Sequence, residues 1–339
     1  MSNYVIDRRE RQFIEGFQKF FSLNPESLSP EEIKTMNNSS YPSGIKNKYI
    51  CHTIKDISVT SYIIPVTNGG TVTAYYIVDQ KLQEKGTMSL VVFYHGGGWF
   101  HSNMDFYLTY LKYFASKMET AVLLVDYRLG PQYKFPVAIE DCFDAFLWAR
   151  EGVKYWKIDP DQVYIAGDGF GATLAASTTI LLRDRKESLP AAELLLYPLT
   201  DGRLRTQSME IYKETPVFTQ KMISWYIKNY SRETKDSLSP LMSPLLSQDL
   251  SRLPPTLIIA AGIDPLLDDS LLYGEALERD GNKVKVLVAT SSLHGFITFK
   301  KARGREEAET AIWQLTHGRN VEAIEFLSKS KFKALKKGK

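Results

Sequence analysis

The stretch that decides the fold is Val163–Ala172, "VYIAGDGFGA". An apolar strand runs into three glycines, and a helical pattern follows. Two readings compete. One is the phosphate-cradling turn of a dinucleotide site, G-x-G-x-x-A, in which backbone amides approach a pyrophosphate. The other is a nucleophile elbow, G-x-S-x-G, with Gly169 standing where the serine belongs.

The surrounding chain arbitrates. A dinucleotide fingerprint opens its βαβ unit and places an acid about 20 residues on. Here several strands precede the glycines, and the next suitable acid, Asp201, is too distant. An elbow instead requires a glycine loop after an earlier strand, then an acid and a histidine in that order. All are present: "YHGGGW" at 94–99 after "SLVVFY", "AAGIDPLLDD" at 260–269 with Asp264 just past a strand, and "SSLHGF" at 291–296 with His294 just past the last strand.

Working outward, strands alternate with helical stretches from "SLVVFYH" to "KVKVLVAT". The strands are continuously apolar, as strands buried on both faces of a parallel sheet must be. The expected class is α/β, a three-layer, mostly parallel sheet. "DISVTSYIIPV" and "GTVTAYYIV", joined by "TNGG", read as a hairpin before it. Residues 9–24 place Phe13, Phe17, Phe20 and Phe21 on one helical face, either a core stripe or a lid. "SLSPEEIK" opens a further helix with Ser29 as N-cap. These N-terminal helices (1–55) and an insertion at about 200–250 lie outside the α/β rhythm and are expected to form a helical cap. The body spans 56–300, with a C-terminal helical region and basic tail at 301–339.

The chain has 339 residues and a net charge of +3, but its last eleven, "KSKFKALKKGK", hold six lysines. Without them the balance is 36 basic to 39 acidic, so the body is not a nucleic-acid binder by charge. The tail reads as a solvated, frayed end. No apolar run is long enough to span a bilayer, and "MSNYVIDRRERQF" lacks the apolar core of a secretory signal. The expectation is a cytoplasmic protein with Cys51 and Cys142 as buried thiols. No metal spacing involves His52, His101 or His317, and no cofactor is expected.

The sequence resembles the hormone-sensitive-lipase-like branch of the α/β-hydrolases. The resemblance rests on "HGGGW" at 95–99, "DYRLGPQYKFPVAIEDC" at 126–142, "GDGFGA" at 167–172, "SRLPPTLIIAAGIDPLLDD" at 251–269 and "HGF" at 294–296. It implies an α/β-hydrolase fold and carboxylesterase or lipase chemistry. By that resemblance His294 is the base, Asp264 its orienter, and the amides of Gly97, Gly98 and Phe170 the oxyanion hole, while Trp99 and Phe296 adjoin the substrate. Family elbows resemble Gly-Asp-Ser-Ala-Gly-Gly, so the serine falls on Gly169, the alanine on Phe170 and the last glycine on Ala172. Asp168 is expected to point away from the pocket. Phe170 is expected to narrow the pocket, and glycine to relieve elbow strain.

Three functional readings follow. The first is a catalytically impaired pseudoenzyme that binds a small ester, acid or other hydrophobic ligand, with a homodimer possible. The second is an ester hydrolase in which His294 and Asp264 activate water directly. The third is an active esterase with a recent or engineered change at Gly169, although Phe170 and Ala172 depart from the family pattern too. A protein-interaction module would instead show a closed pocket and an exposed apolar patch.

Overall fold

The computed structural model describes residues 8–21, 24–52 and 54–337. The chain enters through α1 (Arg8–Phe20), α2 (Pro30–Asn37) and α3 (Ser43–Tyr49). The sheet and its helices follow as β1 (Ile57–Pro65), β2 (Thr71–Asp79), α4 (Gln80–Lys85), β3 (Met88–Tyr94), α5 (Met104–Met118), β4 (Ala121–Asp126), α6 (Val137–Gly152), β5 (Ile158–Asp168), α7 (Phe170–Asp184) and β6 (Glu193–Leu196). The insertion carries α8 (Gln207–Ile211) and α9 (Gln220–Tyr230). Then come β7 (Thr256–Ile263), α10 (Leu267–Arg279), β8 (Val284–Leu293), α11 (Arg305–Thr316) and α12 (Lys329–Lys337).

All eight strands form one sheet in the order β1-β2-β4-β3-β5-β6-β7-β8. The β1–β2 and β2–β4 pairs are antiparallel, and every pair from β4 to β8 is parallel. Every residue of β3 is buried, because helices cover both faces of the parallel part. The strand order alone does not separate the two readings of Val163–Ala172, since β5, α7 and the parallel β6 form a βαβ unit; the elbow reading rests on the residues that the other strands bring to Gly169.

The two segments outside the α/β rhythm meet over one end of the sheet. Phe13, Phe17 and Phe20 of α1 are buried, packing on Phe299 and, for Phe20, on Phe106. The α2 start is a capping box, Ser29 with Glu32. Lys221 of α9 pairs with Glu26 at 2.6 Å, joining insertion to N-terminal region.

The basic tail corrects its expectation. Residues 329–337 form α12, and Phe332 is buried against Trp313 in an edge-on ring pair at 5.4 Å. Lys336 pairs with Glu119. One apolar anchor per turn, with lysines snorkelling around it, is enough to dock a segment that composition alone marks as solvated.

Candidate active site

Four parallel strands deliver the candidate residues at their C-terminal ends, where ligands of open α/β sheets bind. The glycine loop follows β3, Gly169 follows β5, Asp264 follows β7 and His294 follows β8. Residues about 200 apart in sequence therefore converge because their strands share a direction and a register.

The elbow is built by close packing. A Cβ on Gly171 would collide with the carbonyls of Tyr94 and His95, and one on Gly167 with the carbonyl of Gly171. Both flanking glycines are thus demanded by the approach of β5, α7 and β3. Gly169 has φ 54 and ψ −120, a conformation that a side chain tolerates poorly. A Cβ placed there would stand 3.1 Å from His294 Nε2.

The imidazole is held on three sides. His294 Nδ1–H donates to Asp264 Oδ2 at 2.7 Å, and Asp264 is fully buried with Oδ1 accepting from the Leu266 amide at 2.9 Å. Phe218 stacks on the ring at 4.0 Å and 17°, and Tyr197 flanks it at 4.8 Å. The arrangement fixes the tautomer with Nε2 facing Gly169, as a general base requires. The rival acids have other duties. Asp268 accepts from the Ser208 amide, and Asp269 accepts from the amides of Thr200 and Asp201, so both brace the start of the insertion.

The glycine loop is pinned from below. The Gly96 amide donates to Asp168 Oδ1 at 2.8 Å, and Tyr107 donates to Asp168 Oδ2 at 3.2 Å. Burial raises the Asp168 carboxyl to about 6, opposed by the Gly96 amide, His294 and Tyr107. Asp168 was expected to point away; it lines the cavity, and its carboxylate is turned under the loop. His95 stacks on Tyr127 at 4.3 Å, and burial lowers its imidazole to about 4, which suits a structural neutral histidine. Among the described residues no acceptor is found for the amides of Gly97, Gly98 and Phe170. Gly97, Gly98 and Phe170 all line the same cavity.

That cavity also includes Gly169, His294, Phe17, Phe21, Phe218, Met222 and Tyr226, and its volume is about 50 Å³. This is room for a few waters or a short acyl group, well below the several hundred Å³ of a drug-sized site. A larger groove, about 730 Å³, runs beside α11 and α12 but touches neither Gly169 nor His294.

Trp99 and Phe296 need correction, for neither reaches the cavity. Trp99 is buried behind it, with its ring at 4.5 Å from Tyr230 and its Nε1–H donating to the Phe170 carbonyl at 3.2 Å. Phe296 is fully buried beside Tyr197. Phe170 does line the cavity. Residues that motif reading missed are Phe218, Met222 and Tyr226, which come from an insertion with no motif, and Tyr107. Phe17 and Phe21 were visible as one face of a helix; the structure makes that face both core stripe and cavity wall.

Known proteins share this fold. A family model described as alpha/beta hydrolase fold matches residues 91–298. Carboxylic ester hydrolase LipN of Mycobacterium tuberculosis (strain ATCC 25618 / H37Rv) is 34% identical over 260 residues, covering 75% of this chain and 68% of LipN. An arylesterase of Saccharolobus solfataricus is 34% identical over 209 residues, covering 61% of this chain and 68% of the relative. A hyperthermophilic esterase from the archaeon Pyrobaculum calidifontis superposes with a TM-score of 0.78 at 28% identity, covering 93% of this chain and 96% of that one. The family model spans more than half of the sequence, and the chain belongs to the α/β-hydrolase fold family.

Proposed function

We propose that this protein hydrolyses small carboxylic esters slowly, with a water molecule activated directly by the His294–Asp264 pair in place of a serine. The observation that carries this is the point 3.1 Å from His294 Nε2 above Gly169. A side chain would occupy that point; without one, it lies at hydrogen-bonding distance for a water oxygen. Nε2 takes the water proton as the oxygen attacks the ester carbonyl, and Asp264 stabilises the imidazolium that forms. The amides of Gly97, Gly98 and Phe170 receive the developing oxyanion. The imidazolium then returns its proton to the leaving alcohol. Relatives named as a carboxylic ester hydrolase and an arylesterase support the substrate class.

The second reading, a ligand-binding homologue without turnover, is favoured by the same residue. Glycine cannot form an acyl-enzyme, and enzymes stripped of a triad member retain only about 10³–10⁴-fold over the water reaction. Hydrolysis of p-nitrophenyl acetate by the purified chain and by H294A separates the two. Slow hydrolysis without a burst, lost in H294A, supports the water mechanism. Equal rates for the two proteins reject it in favour of binding alone.

A further inference from the structure

We propose that the site also transfers protons at carbon, enolising small esters and ketones whose α C–H is acidified by an adjoining vinyl or second carbonyl group. The inference rests on the reading that a carbonyl oxygen docks at Gly97, Gly98 and Phe170. It goes beyond hydrolysis because neither water nor a nucleophile takes part.

The geometry sets the chemistry. A carbon atom at the Cβ position of residue 169 sits 3.1 Å from His294 Nε2, within the range of a near-attack contact. In a serine enzyme that volume belongs to the enzyme. Here the ligand's own α-carbon can enter it while its carbonyl oxygen stays at the three amides. Donors that stabilise a tetrahedral oxyanion also stabilise an enolate, since both place negative charge on the former carbonyl oxygen.

Much of the wall around that point is apolar. Phe218 lies flat against the imidazole at 4.0 Å, and Phe17, Phe21 and Met222 line the same cavity, with Asp168, Tyr107 and Thr298 among its polar members. The cavity is small, about 50 Å³, and the point beside Nε2 holds one atom at a time, either a water oxygen or an atom of the ligand. Whichever atom occupies the point decides the outcome. Water there leads to hydrolysis, and an α-carbon there leads to the enolate.

The step balances without a co-reactant. The Nε2 lone pair takes the α proton, the C–H electrons form the Cα=C bond, and the carbonyl π pair moves to oxygen. The imidazolium beside Asp264 exchanges its Nε2 proton with solvent and then delivers a proton, either to Cα or, in a β,γ-unsaturated ester, to Cγ. The second course yields the conjugated isomer.

Methyl but-3-enoate in D₂O, followed by ¹H NMR, tests this. Expected is deuterium at Cα together with methyl but-2-enoate, formed about 10²-fold or more faster than in buffer, and lost in H294A and H294Q. The substitution G169S restores Cβ and Oγ at the critical point, so it should cut isomerisation at least about tenfold while raising methanol release. Ester cleavage by G169S also demonstrates that this variant is folded with its base intact. A native rate no higher than that of H294A, or isomerisation undiminished in G169S, overturns the proposal. Methanol release by the native chain reports hydrolysis separately, so either activity can fail alone.

Discussion

At the scale of one residue, Gly169 combines two effects. In the proposed reading it leaves the elbow without a nucleophile, and as a glycine it adopts φ 54 without the strain a side chain would bring. Restoring serine should therefore cost stability while helping chemistry. G169S is expected to lose about 1–3 kcal/mol, seen as a melting temperature lower by roughly 2–4 °C per kcal/mol. It is also expected to hydrolyse p-nitrophenyl acetate at least about 10²-fold faster than the native chain. An unchanged melting temperature would show that the elbow carries no strain. The Cβ contact at 3.1 Å is tight, so His294 must yield by a few tenths of an ångström, and the Phe218 stack resists that movement. F218A in the G169S background should raise activity further if the stack is what limits the adjustment. A fall in activity would instead mark Phe218 as necessary to position the base.

A second residue-scale effect concerns pH. Glu193 in β6 is fully buried, with Thr256 donating to Oε2 at 3.1 Å, and burial raises its carboxyl to about 8. Its folded value lies above its unfolded one, near 4.3. The folded state therefore holds the extra proton between them, and stability falls as pH rises through that window, by at most about 1.4 kcal/mol per unit. Glu193→Gln is neutral throughout. Urea titrations at pH 5 and pH 9 should show the native chain losing stability relative to E193Q at the higher pH; parallel behaviour would refute the shift.

At the scale of elements, the N-terminal helices and the insertion pack on the rest of the chain through single buried faces. The α1 helix survives because Phe13, Phe17 and Phe20 are buried on the body. F20A should cost about 3–5 kcal/mol, as other fully buried Phe→Ala changes do, measurable by denaturant unfolding. A loss below 1 kcal/mol would show that α1 is only loosely applied. The α12 helix depends on Phe332 in the same way. Trypsin should cut the native tail slowly despite its lysines, and F332A should be cut several-fold faster, since proteolysis follows local opening. Equal digestion of both would return the tail to a frayed end.

At the scale of the whole molecule, α1, the insertion and the loops after β3, β5 and β8 together line a cavity of about 50 Å³. Acetate and butyrate esters are expected to be bound or turned over in preference to laurate esters. A preference for long chains would mean that α1 and α9 swing away from the body on binding. No described helix is long and apolar enough to cross a membrane.

The sequence by itself determined the α/β class, the strand-to-helix elbow, and the chain order of glycine loop, Gly169, Asp264 and His294. These are local signals, set by apolar periodicity and by glycines at positions where backbones touch. Docking of the tail, the burial of Trp99 and Phe296 away from the cavity, the turn of Asp168 under the glycine loop, and the aromatic clamp of Phe218 emerge only when the chain is folded. Each depends on which distant side chain fills a given space, and the Phe332–Trp313, Trp99–Tyr230 and Phe218–His294 contacts join segments whose spacing carries no period. The glycine at position 169 was legible from one letter. The point it leaves open, 3.1 Å from a held imidazole, required the fold.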